Sequence, residues 1–244
     1  MDQASWRERA GSFGAAADVY DRSRPAYPVE AVRFCLPSGA TRVLDLAAGT
    51  GKLTGVLLDL GMDVVAVEPS EEMRALIPAR ADRRDGRAES IPVPDSSVDA
   101  VLVGQAFHWF DVGPALAEIA RVLRPGGTLG LLWNLREDKA EDWVREVWSL
   151  FDSESDADVT SGETPEPPFE ATAALDGLAR DGFPNAQQLD PDLLVDLVAS
   201  RSGVITLPED ERVEVLRRTR ELAPSDSFEL RYQTVAWRAV RGPR

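Results

Sequence analysis

Three places in this chain have the residue types and spacing to do chemistry. One is a turn, Asp45-Leu46-Ala47-Ala48-Gly49-Thr50-Gly51-Lys52. One is an acid, Glu68, that closes the apolar run Val64-Val65-Ala66-Val67. The last is His108, the only histidine, in Gln105-Ala106-Phe107-His108-Trp109-Phe110. Gly49 and Gly51 lack Cβ, so backbone at the turn can approach a ligand closely. Two phosphate-binding readings of the turn fail. A phosphate loop needs glycine at position 46 and Ser or Thr at 53, and both are leucine. The dinucleotide pattern needs a third glycine at 54, where the chain has Thr54. Asp45 also opposes a pyrophosphate, because ligands of open α/β sheets sit at the carboxyl ends of the strands. It suits a ligand with positive charge near the turn. Glu68, ending the next strand, suits both ribose hydroxyls of an adenosyl group. S-adenosylmethionine meets these demands: it carries a sulfonium and an ammonium and no phosphate.

The elements that must position these groups follow from hydrophobic spacing. Residues 42–47 and 63–68 read as strands with unbroken apolar runs, as in a buried parallel sheet. Between them Leu53, Val56, Leu57 and Leu60 share one helical face, ended by Gly61. Ser70 caps a further helix, with Glu71 and Glu72 at its positive end. Weak strand character at 82–88 and strong character at 97–104 follow. A helix with Leu116, Ile119, Ala120 and Leu123 on one face stops at Pro125-Gly126-Gly127, and 128–133 reads as a fifth strand. The alternation predicts a doubly wound α/β fold with a mostly parallel sheet. Further on, helical patterns fall near 171–180, 192–200 and 209–222, and a long, interrupted strand at 228–240.

Composition narrows the partners. The chain has 244 residues, 43% hydrophobic and 28% charged, enough for a sizeable core. One cysteine, Cys35, excludes an internal disulfide, and one histidine excludes His-His zinc sites, so no metal is expected. A Cys35–His108 dyad has no support from the residues around either. A net charge of −15 argues against nucleic acid and membrane surfaces as partners. The polar first fourteen residues and the lack of a long apolar run predict a cytoplasmic protein.

The segments LDLAAGTGKLT, VVAVEPSEEM, GRAESIPVPDSSVDAVLVGQAFHWF and EIARVLRPGGTLGLLWN together resemble the class I S-adenosylmethionine-dependent methyltransferases. More narrowly, they resemble the small-molecule group with a type 11 methyltransferase domain. The resemblance covers roughly residues 40–134, in the family's order, and FGAAADVYDRSRPAYP resembles that group's lead-in. It implies a seven-stranded Rossmann-like sheet in a single domain spanning 1–244. Within it, 1–40 is a helical lead-in over the cofactor and 41–134 the cofactor-binding core. Residues 135–170 form a cap inserted after the fifth strand, and 171–244 complete the sheet and helices. Position by position, the resemblance assigns Asp45, Gly49 and Gly51 to the methionine end of the cofactor and Glu68 to the ribose. It assigns Ala88 and Glu89 to the adenine segment, and Gln105 to a place under the methionine moiety. Tyr20 and Arg24 match lead-in positions that reach the cofactor carboxylate or the substrate. Two residues depart from the family: Ala47 replaces its usual first glycine, and Arg87 stands where many members have an acid beside adenine.

His108 then has two readings. It is the general base that frees an acceptor of its proton during an in-line methyl transfer, or it packs in an aromatic turn and orients substrate. Arg24 is a carboxylate clamp or a solvated arginine. Trp109 and Phe110 face the sulfonium or pack in the core. Trp143, Val144, Val147, Trp148 and Phe151 form either ordinary helix packing or the wall of an apolar acceptor pocket. Asn134, ending the fifth strand, is placed to orient substrate. Glu166-Pro167-Pro168-Phe169 has the look of an amino-methylation signature, but it lies in an acidic segment far from the fourth strand and is not one. The expected function is methyl transfer to a small-molecule acceptor. Its rivals are an inert cofactor-binding regulator, an enzyme that uses the sulfonium for rearrangement or elimination, and, more remotely, a nicotinamide oxidoreductase.

Overall fold

The apolar runs have no alternation because both faces of the sheet are covered. In β1 (Arg42–Leu46) and β2 (Asp63–Val67) every residue but the first is buried. The computed structural model describes residues 21–137, 141–151 and 174–243. Along it follow α1 (Val29–Cys35), β1, α2 (Lys52–Asp59), β2, α3 (Glu71–Leu76), β3 (Asp82–Arg84) and β4 (Val98–Gly104). Then come α4 (Val112–Val122), β5 (Leu123–Arg136), α5 (Asp142–Ser149) and β6 (Leu175–Leu189). The last elements are α6 (Pro191–Ala199), α7 (Ser202–Ile205), α8 (Glu209–Leu222) and β7 (Phe228–Arg241).

The seven strands form one sheet in the order β3-β2-β1-β4-β5-β7-β6. The first four pairings are parallel, with Leu44 beside Val65 and beside Val101. The order reverses outward from β1 and β4, so the carboxyl ends of these two strands flank the switch point where open α/β sheets bind ligands. β7 is antiparallel to β5: the Glu137 N–H donates to Arg231 O and the Thr234 hydroxyl to Asn134 Oδ1, so partner numbers fall on β7 as they rise on β5.

The chain divides into two compact units. Among the described residues, one comprises 26–134, 174–183 and 234–243, and its core packs Val32 and Cys35 of α1 against Leu53, Leu57, Val64, Leu102 and Leu132. The other comprises, among the described residues, 21–25, 135–137, 141–151 and 184–233. Its core joins Val144, Val147 and Trp148 of α5 to Leu194, Leu197, Val198, Val215, Leu230 and Tyr232. The aromatic stripe of α5 is therefore helix packing within that unit, with Trp143 and Phe151 at its margin.

Two expectations are corrected. The pattern near 171–180 is not helical from Leu175 onward; it opens β6, an edge strand. Its covered positions, Phe183, Asn185, Gln187 and Leu189, alternate with exposed ones, the mark of a strand covered on one face. Pro184 is tolerated there because an edge strand need not donate on both sides. Pro125-Gly126-Gly127 likewise does not separate helix from strand, since β5 starts at Leu123. Gly126 takes φ +80°, and a Cβ on Gly127 would lie 2.8 Å from Asp99 O, so the pair passes a tight entry that other residues could not.

At the opposite edge from the switch point, Asp99 pins β4 to β1. Its carboxylate accepts from Thr41 N (2.9 Å), Thr41 Oγ1 (3.1 Å), Arg42 N (2.9 Å) and Arg124 Nη1 (2.5 Å). Burial raises the carboxyl pKa, but these donors outweigh it and hold it down to about 2. A depressed folded pKa contributes stability above the ordinary value near 3.8, and that contribution is lost as pH falls toward 2. Asp99→Ala should cost about 2 kcal/mol at pH 7, since it orphans two backbone N–H groups. The same substitution should flatten the acid limb of stability between pH 4 and 2. Urea midpoints across pH measure both; an unchanged acid limb would exclude Asp99 as its source.

Candidate cofactor site

The turn after β1 is strained where a site would need it. Ala47, at the family's glycine position, takes φ 57°, and Gln105, just after β4, takes φ 59°. Left-handed backbone at a residue with a Cβ costs roughly 1–2 kcal/mol, and such outliers gather at functional sites. These two stand at the carboxyl ends of neighbouring strands. The Ala48 N–H donates to Val67 O (3.1 Å) and the Gly51 N–H to Ala48 O (2.9 Å), which folds the turn back over the end of β2. Gly51, at φ +89°, caps α2; a Cβ there would meet Pro78 Cδ at 2.7 Å. Gly49, at φ +57°, is different. Apart from its chain neighbours, no atom of the described residues lies within 4 Å of the place its Cβ would take.

Two buried acids stand at this end of the sheet, and one of them, Glu68, binds Gly49 itself. Asp45 is 1% exposed and accepts from the Thr54 hydroxyl at 2.5 Å. Burial, with the Glu68 charge nearby, pushes its pKa from 3.8 up to about 7 against the pull of Thr54. Glu68 is 6% exposed, and its two oxygens accept from Gly49 N and Ser70 N, each at 2.9 Å. Burial raises its pKa too, opposed by those N–H groups and by Arg74. Each oxygen keeps a lone pair, so the carboxylate can still accept two hydroxyls. In the same turn Thr50 Oγ1 is buried with no hydrogen-bond partner among the described residues.

The remaining residues named from the sequence fall into place unequally. Ala88 is buried. Glu89 accepts from the Asp111 N–H (2.9 Å), tying the 87–90 turn to the start of α4. Gln105 donates from Nε2 to Asn134 O (3.2 Å), and its N–H to Leu132 O (2.9 Å). Asn134 in turn donates from Nδ2 to Ala26 O (3.2 Å). His108 sits in a short 3-10 turn, Phe107–Trp109, with its ring tilted against Trp109 at 4.6 Å between centroids. The ring is exposed yet crowded by surrounding protein, and this desolvation lowers its pKa to about 4. Phe110 packs edge-on against buried Phe107. Arg24 belongs to the other unit, where it donates to Ser200 Oγ (3.1 Å) and Ser200 O (2.9 Å). Tyr20 and the segment 166–169 lie outside the described residues. No group of three His, Cys, Asp or Glu suited to a metal occurs among the described residues.

Comparison with known proteins decides what family this geometry belongs to. Residues 44–131 match the family described as Methyltransferase domain. An uncharacterized methyltransferase of Mycobacterium tuberculosis is 45% identical over 247 residues, covering 97% of this chain and 98% of the relative. The chain belongs to the class I S-adenosylmethionine-dependent methyltransferases. An uncharacterized methyltransferase-like protein of Schizosaccharomyces pombe is 32% identical over 242 residues, covering 92% of this chain and 93% of its own. In fold, the chain is similar to a protein of Anaeromyxobacter dehalogenans described as a type II methyltransferase. The TM-score is 0.66 at 23% identity, over 91% of this chain and 99% of that one.

In this methyltransferase several residues around the turn escaped the sequence reading. Thr54, noted only as a failed third glycine, is the hydroxyl that holds Asp45. Its signal is a polar residue on an otherwise apolar helical face. Tyr27 lies against Gly104: a Cβ on that glycine would fall 2.4 Å from the Tyr27 hydroxyl, so the glycine makes room for the ring at the end of β4. Glu118 and Arg121 of α4 hold the segment after Glu89. Glu118 accepts from Ile91 N, and Arg121 donates to Ile91 O (2.8 Å) and Val93 O (2.9 Å). These contacts join residues about 30 apart and have no local signature. Cys35 is inert by contrast: it is fully buried, and desolvation pushes its thiol up to about 12.

Proposed function

We propose that this methyltransferase binds S-adenosylmethionine through Asp45, Gly49, Gly51 and Glu68 and transfers its methyl group to a small-molecule acceptor. The observation that carries the reading is the pair of buried acids beside an open glycine position. Burial disfavours the charge on both, and a cationic, phosphate-free nucleoside would restore it. The residues fit that group: space at Gly49, an unpartnered Thr50 hydroxyl, and spare acceptor sites on Glu68 for a diol. Ala88 and Glu89 sit in the turn assigned to adenine, which Arg121 and Glu118 hold in place. Gln105, tethered through Nε2, keeps its carbonyl oxygen for a donor on the methionine portion.

When bound, the cofactor supplies an electrophilic methyl on sulfur. The chain's own task is then orientation and control of one proton. His108 is neutral at pH 7, the form a base requires. A conjugate acid this acidic makes it a modest base, suited to an acceptor whose proton is already acidic. The net charge of −15 supports a small molecule over a nucleic acid. No helix among the described residues is long and apolar enough to cross a membrane.

Calorimetric titration of the full chain with S-adenosylhomocysteine and with NAD tests the cofactor: binding of the first and not the second is expected, and the reverse overturns the reading. Turnover of methyl-labelled S-adenosylmethionine against metabolite pools tests the transfer, by product mass and release of S-adenosylhomocysteine. His108→Ala should lower kcat about a hundredfold with cofactor affinity unchanged. A near-normal rate across pH would leave His108 an orienting group only.

A further inference from the structure

A fully buried hydroxyl, that of Thr54, stands among the apolar side chains that α2 buries, Leu53 and Leu57. A hydroxyl in such a place costs free energy unless it is hydrogen-bonded. Its partner is Asp45 Oδ2 at 2.5 Å, nine residues back along the chain. The Thr54 N–H is a second donor to the same carboxylate. It belongs to the first turn of α2, whose amides have no acceptor inside the helix, and Gly51 has no side chain to supply one. From the neighbouring strands Asp45 meets Ala66 on β2 and Leu102 on β4, neither of which carries a charge. Glu68, just past β2, adds a like charge, and Arg74 of α3 acts on Glu68. The pull toward the charged form of Asp45 therefore comes from Thr54.

We propose that Thr54 is a positioning residue of the cofactor site: its two donors hold the Asp45 carboxyl in place and in its charged form, and so set the pH at which the chain takes up a cationic cofactor. The inference deepens the proposed function and rests on its placing a cation at Asp45. Opposed effects meet on that carboxyl. Burial and the Glu68 charge favour the neutral acid, while the Thr54 donors favour the anion. A donated hydroxyl stabilises a charged acceptor more than a neutral one. Burial prevails, so Asp45 changes charge near pH 7, where a modest change in donor strength moves the population of the anion severalfold. Glu68 is held otherwise, by the main-chain N–H groups of Gly49 and Ser70, which belong to the turn itself. Thr54 is thus the side chain through which the proton affinity of this pair of acids is adjusted.

Thr54→Val removes the hydroxyl and keeps the N–H and the branched shape. The full chain is titrated calorimetrically with S-adenosylhomocysteine between pH 5 and 9. The midpoint of the affinity profile should lie about one pH unit higher in Thr54→Val than in the unaltered chain. Affinity should be about tenfold weaker at pH 6 and equal within about twofold at pH 9. Thr54→Ser, which restores the donor, should return the profile. The cofactor-free chain gives a second measurement. Its urea midpoint should fall with rising pH until near pH 7 in the unaltered chain, and until about pH 8 in Thr54→Val. Thr54→Ala carries both tests if the valine variant does not fold. A role in packing alone would lower affinity by one factor at every pH; an unmoved midpoint therefore overturns the proposal while the cofactor reading stands. If S-adenosylhomocysteine fails to bind the unaltered chain, the cofactor reading has failed and the proposal falls with it.

Discussion

Glu68→Ala is expected to weaken S-adenosylmethionine binding by about 2–3 kcal/mol, roughly a hundredfold. The carboxylate does two jobs at once. It accepts from Gly49 N and Ser70 N, which holds the open turn against the start of α3, and its remaining lone pairs are the proposed ribose acceptors. Alanine leaves two part-buried N–H groups without their acceptor and removes the diol partner. Glu68→Gln separates these jobs, because an amide has one acceptor oxygen and must present donors at its nitrogen. It should lose nearly as much affinity as alanine. Calorimetry with S-adenosylhomocysteine reads both variants, and unaltered affinity in Glu68→Ala would remove Glu68 from the site.

A pH dependence of cofactor affinity should follow from Asp45. Its folded pKa lies near 7 against an ordinary 3.8, chiefly through burial. A raised carboxyl pKa means that the folded chain holds a proton that the unfolded chain has released, so stability falls as pH rises from about 4 to 7. A cationic ligand at the turn favours the charged form and expels that proton. Apparent affinity should therefore be about tenfold weaker at pH 6 than at pH 8, and about a hundredfold weaker at pH 5. The released proton is countable in buffers of different ionisation enthalpy. Glu68 shifts in the same direction, so Asp45→Asn, which keeps an acceptor for Thr54, should remove most but not all of the dependence. A flat affinity profile between pH 5 and 8 in the unaltered chain would mean that no cation meets Asp45.

The legible part of this protein was local. β1, the turn, α2 and β2 are consecutive between Arg42 and Val67, and apolar runs, two glycines and two acids at the strand ends suffice to read them. The parallel sheet followed from the same alternation. The carboxyl half was harder. The pattern near 171–180 reads as helical in the sequence, and it is pairing at the sheet edge that makes 175–189 a strand. Ala47 departs from the family's glycine, yet its backbone goes left-handed as the turn requires, because the pairing of β1 with β2 over-determines the path.

By itself the sequence determined the fold class, the family and the identity of the acids at the strand ends, because each depends on residues close in the chain and on hydrophobic period. Tertiary structure alone decided what those acids are worth and what lies beside them. Burial of Asp45 and Glu68 sets their protonation. The sheet order brings Asn134 to Thr234 across 100 residues. Such encounters are made by strand pairing and packing, whose partners share no local pattern, so no window of sequence contains them.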